Sequence, residues 1–399
     1  MIRSLFALCC TGLLLLAGCD KTPEPQKTSE TQLTPIRFLT DWYPQPEHGG
    51  FYNALVRGYY KDVGLDVTIE PGGPNIYPTQ RVPVGAGEFG MASSDVVLTT
   101  NAEGQDLVAI GATMQWDPQA IMLHAEDPAN NFADLEGRTI AAVPGSVWFR
   151  YLVKKFNYQN VKEIPATFTI ANFLHDPRYI QQIFVTSEPF FVEQSGGAKP
   201  KILLIKDTGY QIYRVFFTTR SYLEKNPEIV RKFVAASVRG WRDYIQDPSA
   251  ANAEIAKRNP EMNVERMKFS WNALKEGGFV YGSDSSGASV GKFDPQRWNE
   301  TTKFREALEL SQKISTRRGV TRWNSPRAYD FSEAGNSASG STSNIRIIPI
   351  QANIRNAASW PFQIFDCHIK NHSPPTDKKA TNHCKRLRVR PMIAGFLAC

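Results

Sequence analysis

The 399-residue sequence has no cysteine between Asp20 and Asp366, although it holds six in all. This lack excludes a disulfide framework and a cysteine nucleophile in the body of the protein, which must then be stabilised by a large hydrophobic core. The body also lacks the GxSxG elbow of serine hydrolases, the phosphate-binding P-loop and the HExxH zinc motif. We therefore predict no catalytic residues, no metal site and no cofactor.

An excess of charge of one sign is also lacking over most of the chain. The net charge is +7, but residues 316–399 carry 13 Lys and Arg against 4 Asp and Glu. The preceding 315 residues carry 33 against 35 and are close to neutral. Such a body argues against the broad basic surface of nucleic-acid-binding proteins, so we expect no nucleic-acid partner.

Residues 316–399 differ from the rest of the chain in more than charge. They contain a Ser-rich stretch, three cysteines and three of the six histidines, and they show no helical or strand periodicity. The cysteine and histidine spacing matches no zinc motif, so adventitious composition is the favoured interpretation. We expect this segment to be an atypical basic tail, disordered or not native to the domain.

The N-terminus has the pattern of a secretory signal. Residues 1–18 have one early basic residue and an apolar run that is too short for a stable membrane span. The end of this run, Leu16-Ala17-Gly18-Cys19, resembles the lipobox of bacterial lipoproteins, which implies acylation of Cys19. Residues 19–35 are polar and predict a flexible tether. We expect a periplasmic or cell-surface protein that is anchored to the membrane as a lipoprotein.

Between tether and tail, short apolar runs alternate with helix-like runs, and helical patterns dominate from Tyr222 to Ile314. This order predicts an α/β fold with two lobes, in which the chain crosses into the second lobe and returns. We assign residues 36–124 and 215–315 to lobe 1 and residues 125–214 to lobe 2.

The segment from Asp41 to Tyr52 follows the first predicted strand and precedes a helix, at the edge where α/β folds bind ligands. Trp42 and its neighbours either pack against the next helix or face a ligand. Ser94 has the same ambiguity, because it could cap a helix or contact a ligand in the cleft.

Three later segments add candidates to this edge. Trp116 follows a predicted strand, and we favour a ligand contact for it. The Gly145-Ser146 turn between strand and helix offers free N–H groups to a ligand. Pro189 is expected to hold Glu188 in an extended conformation, and we favour Glu188 as an acceptor for ligand N–H groups over a surface turn residue.

Five segments occur in a fixed order along the chain: DWYPQPEHGGFYNA at 41–54, MASSD at 91–95, DLEGRTIAAVPGS at 134–146, TSEPF at 186–190 and LEKNPEIVRKF at 223–233. From about Pro35 to Gln312 the chain thereby resembles the solute-binding proteins of ABC transporters that capture thiamine pyrimidine precursors such as formylaminopyrimidine. These proteins share a superfamily with the fungal thiamine-pyrimidine synthases. The resemblance implies a type II periplasmic-binding-protein fold, with two crossover strands and a ligand cleft between the lobes.

The resemblance also implies the function and the site. It implies a monomeric receptor that delivers an aminopyrimidine or similar aromatic heterocycle to an ABC permease in the inner membrane. A sulfonate or a riboflavin-like compound is the alternative ligand, and a sulfonate is less favoured because the motifs contain no cluster of Arg. The implied cleft residues are Trp42, Glu47, His48, Ser94, Trp116, Ser146, Trp148, Glu188, Tyr210 and Tyr213. Aromatic faces would sandwich the ring while Glu188 accepts hydrogen bonds from its amines.

A synthase activity is the least favoured alternative. The fungal synthases hold pyridoxal phosphate on a lysine and consume an active-site histidine. On the matching stretch this chain has Ser94 at the lysine position and Leu98 at the histidine position, and residues 209–213 replace the iron-binding cysteine motif. We therefore expect a binding protein and not an enzyme.

Overall fold

The structure is a computed structural model that describes residues 32–303, 329–330 and 346–347, all within one compact unit. The predicted signal peptide, Cys19, most of the tether and nearly all of the basic tail lie outside the described residues. In the described part of the chain, none of the helices combines the length and the hydrophobicity that a membrane span requires.

Two five-stranded sheets form the framework of this unit. Their strands are, in chain order, β1 (Thr34–Leu39), β2 (Leu65–Glu70), β3 (Phe89–Ser93), β4 (Leu107–Met114), β5 (Gln119–Leu123), β6 (Thr139–Ala142), β7 (Lys162–Pro165), β8 (Ile180–Phe184), β9 (Lys201–Leu204) and β10 (Arg214–Thr219). A short antiparallel ribbon pairs β11 (Tyr329–Asp330) with β12 (Arg346–Ile347).

Helices cover both sheets. The α-helices are α1 (Gly49–Val56), α2 (Tyr59–Asp62), α3 (Pro78–Arg81), α4 (Ser94–Ala102), α5 (Val147–Lys155), α6 (Ala171–His175), α7 (Glu188–Gln194), α8 (Arg220–Lys225), α9 (Pro227–Gln246), α10 (Ser249–Arg258) and α11 (Val264–Glu276). Single 3₁₀ turns lie at Pro46–His48, Phe132–Leu135 and Ile205–Thr208, and residues 295–303 are helical.

The first sheet has the order β2-β1-β3-β10-β4, with β10 antiparallel to both of its neighbours. The strongly amphipathic α9 lies on one face of this sheet and buries Phe233 and Trp241. The ring of Phe233 stacks on that of Phe89 in β3, with centroids 4.0 Å apart. A large aromatic core therefore stabilises this lobe without disulfides.

The second sheet has the order β7-β6-β8-β5-β9, in which β6 is parallel to β7 and β8 while β5 is antiparallel to β8 and β9. The chain passes between the sheets twice, after Met114 and after Leu204. The predicted two α/β lobes with two crossovers are confirmed. The first crossing precedes the boundary expected at residue 124, because β5 forms its hydrogen bonds with strands of the second sheet.

Candidate ligand-binding site

A cavity of about 560 Å³ lies between the two lobes. Its walls come from the segments that follow β1, β2 and β3 in the first lobe and β6, β7 and β8 in the second. The volume falls within the usual range for small-molecule sites, and the edges of α/β sheets are where such sites form.

Three of the ten residues expected in the cleft line this cavity, namely Trp42, Glu47 and Glu188. The other seven lie elsewhere, in three groups described below. They are His48, Ser94, Trp116, Ser146, Trp148, Tyr210 and Tyr213.

Ser94 and Tyr213 contact each other at the second crossover. The Tyr213 N–H donates to Ser94 Oγ over 3.1 Å, and Ser94 is the first residue of α4, whose N-cap is Ser93. Trp116 and Tyr213 both pack on Arg297, whose guanidinium carbon lies 4.2 Å and 3.6 Å from their ring centroids. These side chains therefore stabilise the junction between the lobes and do not reach the cavity wall.

Trp148 and Tyr210 belong to the hydrophobic core of the second lobe. The Tyr210 hydroxyl donates to Asp95 Oδ2 over 2.7 Å. Ser146 precedes α5, and its hydroxyl donates to the Val143 carbonyl over 2.5 Å. The predicted Gly-Ser turn exists, but its hydroxyl is used within the turn.

Glu47 is a cavity residue with an unusual hydrogen-bonding state. Its side chain is 4% exposed, and Oε1 accepts a hydrogen bond from the hydroxyl of Thr186. Its other oxygen, Oε2, is buried and has no hydrogen-bond partner among the described residues. Burial raises the pKa of the Glu47 carboxyl, and the Thr186 hydrogen bond opposes that rise.

Glu188 lies near Glu47 on the wall of the second lobe. The expectation that Pro189 holds it in an extended conformation is wrong, because Glu188 is the first residue of α7 and Pro189 occupies a first-turn position, where proline is tolerated. Its Oε2 accepts from the Phe184 N–H over 2.9 Å. Burial raises the pKa of Glu188 to about 7, which Glu47 reinforces and Arg266 opposes.

A buried ionic network lies beside these carboxyls. Arg214 pairs with Asp41, and its Nη1 lies 3.5 Å from Asp117 Oδ2. Asp41 also contacts His48, with 3.1 Å between Oδ1 and Nε2. Burial lowers the pKa of His48 to about 4, so its imidazole is neutral near pH 7. Sequence reasoning included His48 but missed Arg214, which no motif marks.

The cavity wall contains an aromatic contact that sequence reasoning also missed. Trp42 in the first lobe and Phe168 in the second have ring centroids 5.3 Å apart at 46°. This separation leaves no space for a ligand ring between them, so the expected aromatic sandwich does not form from this pair. Phe168 has φ +56°, a strained conformation for a bulky residue, and is 50% exposed.

No group of three or more His, Cys, Asp or Glu side chains in the part of the chain that the structure describes could hold a metal ion. The polar groups of the cavity wall are carboxyl, amide, hydroxyl and guanidinium groups, and they lie beside aromatic and aliphatic surface.

A family model described as NMT1/THI5 like matches residues 45–251, which is more than half of the chain and spans Glu47, Phe168 and Glu188. The chain belongs to the NMT1/THI5-like family. Membership agrees with the resemblance inferred from the five sequence segments.

Relatives in this group carry several names. The riboflavin-binding protein RibY of Chloroflexus aurantiacus is 24% identical over 320 residues, covering 75% of this chain and 90% of that protein. The formylaminopyrimidine-binding protein of Halalkalibacterium halodurans is 22% identical over 320 residues, covering 76% and 93%. The phosphate synthase THI11 of Saccharomyces cerevisiae, which makes 4-amino-5-hydroxymethyl-2-methylpyrimidine phosphate, is 24% identical over 248 residues, covering 57% and 72%.

Solved structures show the fold. The periplasmic aliphatic sulphonate-binding protein SsuA of Escherichia coli superposes with a TM-score of 0.52 at 16% identity, covering 73% of this chain and 96% of that one. The NMT1/THI5-like chain therefore has the type II periplasmic-binding-protein fold that the resemblance implied.

Proposed function

We propose that this protein is the extracytoplasmic solute-binding receptor of an ABC importer and captures a thiamine pyrimidine precursor, or a similar aromatic heterocycle, between its two lobes. The observation that carries this proposal is the buried carboxyl of Glu47, a residue of the cavity wall whose Oε2 has no hydrogen-bond partner among the described residues. A buried acceptor of this kind is costly unless a donor reaches it, and a ligand is the group that can enter the cavity.

The chemistry of the wall favours a ligand that donates hydrogen bonds. Glu47 and Glu188 lie close enough for the charge of Glu47 to raise the pKa of Glu188. Two carboxyls at one end of the cavity match the ring-edge amines of an aminopyrimidine, since carboxylates accept hydrogen bonds strongly. Trp42 and Phe184 add aromatic surface to the same cavity.

The cationic side chains of the cavity disfavour a sulfonate or nitrate. Arg214 is paired with Asp41 and lies beside Asp117, so its charge is already compensated. Arg266 interacts with the charges of Glu47 and Glu188. An anion bound at Arg266 would therefore lie beside Glu47 and Glu188, and these carboxyls repel an anion in their ionised form.

A riboflavin-like ligand is a second candidate, and the size of the cavity favours it. A single pyrimidine ring leaves part of a 560 Å³ cavity to water, whereas a three-ring isoalloxazine fills more of it. Riboflavin also presents a ring N–H that can donate to a carboxylate.

The geometry around Ser94 supports a binding protein over a synthase. The resemblance matches Ser94 and Leu98 to the lysine and histidine of the synthases, and both residues are completely buried. Ser94 Oγ accepts from the Tyr213 backbone, so this part of α4 serves the packing of the crossover. The lipid anchor on Cys19, the periplasmic location, the monomeric state and the permease partner belong to the same proposal.

The proposal is tested by isothermal calorimetry with formylaminopyrimidine, riboflavin and an alkanesulfonate. We expect one of the two heterocycles to bind and Glu47→Gln to weaken its binding by about tenfold to hundredfold, the range for one hydrogen bond to a charged group. Glu193→Gln is the matched control, because Glu193 is exposed on α7. Binding of the sulfonate alone, or equal affinity of Glu47→Gln and the wild type, would refute the proposed ligand class.

A further inference from the structure

Thr186 joins the second lobe to the first through two hydrogen bonds. It follows β8, and it is completely buried. Its hydroxyl donates to Glu47 Oε1, and its carbonyl accepts from the Ser270 hydroxyl over 2.6 Å. Glu47 and Ser270 both belong to the first lobe, where α11 packs against the 3₁₀ turn Pro46–His48.

Aromatic contacts surround this pair of hydrogen bonds. Phe190 of α7 lies 5.6 Å from Phe269 of α11, measured between ring centroids. The guanidinium carbon of Arg266, also on α11, lies 4.5 Å from the ring centroid of Phe191. The turn after β8 and the start of α7 therefore form the contact surface of the second lobe against α11.

The Glu47 carboxyl connects this contact surface to the cavity. Oε1 accepts a hydrogen bond from the Thr186 hydroxyl, while Oε2 is buried without a hydrogen-bond partner among the described residues, and Glu47 itself lines the cavity. Glu47 thus belongs both to the contact between the lobes and to the wall of the cavity.

We propose that Glu47 and Thr186 form a ligand-operated bridge, in which a hydrogen-bond donor of the bound heterocycle engages Glu47 Oε2 and thereby strengthens the Thr186 hydrogen bond that holds the lobes together. The bridge rests on the proposed function for the nature of its ligand. It makes Glu47 a residue that both selects the ligand and reports its presence to the second lobe.

The cooperation has a physical cause. A buried carboxyl tends toward its neutral form, and a neutral carboxyl accepts hydrogen bonds more weakly than a carboxylate. A ligand N–H donated to Oε2 favours the ionised form, so the hydrogen bond on Oε1 gains strength at the same moment. Each of the two donors therefore stabilises the other.

Thr186→Val tests the bridge because it removes the hydroxyl and keeps the shape of the side chain. Thr218→Val is the matched control, since Thr218 is also completely buried and donates one hydrogen bond, to the Glu88 carbonyl over 2.7 Å, within the first lobe. Ser270→Ala removes a contact between the lobes that does not involve Glu47. The ligand probe is formylaminopyrimidine, or riboflavin if that is the heterocycle that binds.

We expect Thr186→Val to weaken the affinity by about tenfold or more, mainly through faster dissociation in stopped-flow measurements. Thr218→Val should keep wild-type affinity. In the double variant, Thr186→Val should cause little further loss of affinity beyond that of Glu47→Gln, because two changes in one hydrogen-bond network are not additive. Ser270→Ala should weaken the affinity less than Thr186→Val does, because the hydrogen bond between Thr186 and Glu47 remains in it.

Amide hydrogen exchange of residues 184–191 gives a readout that needs no ligand. It should rise in Thr186→Val and in Glu47→Gln, and ligand should slow it in the wild type. The bridge is overturned if Thr186→Val binds the ligand as tightly as the wild type does. It is also overturned if the loss of affinity in the double variant equals the sum of the losses in Thr186→Val and Glu47→Gln. If the wild type binds no heterocycle, the proposed function fails, and unchanged exchange in both variants would then reject the bridge separately.

Discussion

Replacing Glu188 by Gln should stabilise the ligand-free protein in a strongly pH-dependent way. The substitution removes the ionisable group and keeps a side-chain oxygen that can accept from the Phe184 N–H, as Glu188 Oε2 does. Its effect on the free energy of unfolding therefore isolates the energetic cost of ionising Glu188.

The size of the effect follows from burial. Burial raises the pKa of Glu188 from 4.5 to about 7, and a change of one in pKa corresponds to about 1.4 kcal/mol. Because Glu188 keeps partial contact with solvent through the cavity, we expect ionised Glu188 to cost about 2–3 kcal/mol. Between these two pKa values the folded protein holds a proton that the unfolded chain has lost, so stability falls as pH rises through this window.

Urea unfolding at about pH 5 and about pH 8 measures the difference between wild type and Glu188→Gln. We expect the free energy of unfolding of the variant to exceed that of the wild type by about 2–3 kcal/mol at about pH 8 and by much less at about pH 5. Glu193→Gln, on the exposed side of the same helix, should show no such change between the two conditions. A Glu188→Gln effect of equal size at both pH values would refute the reasoning.

Three further substitutions test the framework of the site. Phe168→Gly should have a free energy of unfolding about 1 kcal/mol higher than that of Phe168→Ala, because Phe168 has φ +56° and glycine adopts positive φ without strain. At an ordinary backbone conformation alanine would be the more stable of the two. Gly50→Ala should destabilise by about 1–3 kcal/mol in urea, because its Cβ would lie 2.1 Å from the Trp241 ring; a gain would contradict this close packing. Arg297→Lys should lower the thermal midpoint and speed amide exchange at 115–118, because lysine lacks the planar fork that reaches several backbone carbonyls.

The local pattern of apolar and polar residues was enough to predict the alternation of strands and helices. It also predicted that the segment from Asp41 to Tyr52 lies between the first strand and the first helix. Both features depend on neighbouring residues along the chain, and the strand-to-helix turn places Trp42 and Glu47 at the sheet edge. Glu188 was found for a similar reason, although its conformation is helical. Trp42, Glu47 and Glu188 each follow a strand that ends at the cavity.

Residues that act across the lobes could not be found in this way. Phe168 and Arg214 lie on the cavity because the chain crosses between the sheets twice, and no local spacing encodes which loops then meet. Thr186 lies beside the predicted Glu188, yet its role depends on Glu47, which is 139 residues away in the chain. Only the tertiary arrangement shows that its hydroxyl is the partner of a cavity carboxyl.

The aromatic residues expected on the cavity wall show why composition alone misplaces a site. Trp116 and Tyr213 lie at strand edges, where ligand contacts are common, but Arg297 lies between their rings. Arg297 also donates to the carbonyls of Gln115, Gln211 and Ile212, on both crossovers. The two crossovers are the connections about which the lobes of this fold can move. Trp116 and Tyr213 therefore stabilise the junction between the lobes and do not line the cavity. The geometry of that junction in turn decides how Glu47 of the first lobe meets Thr186 of the second.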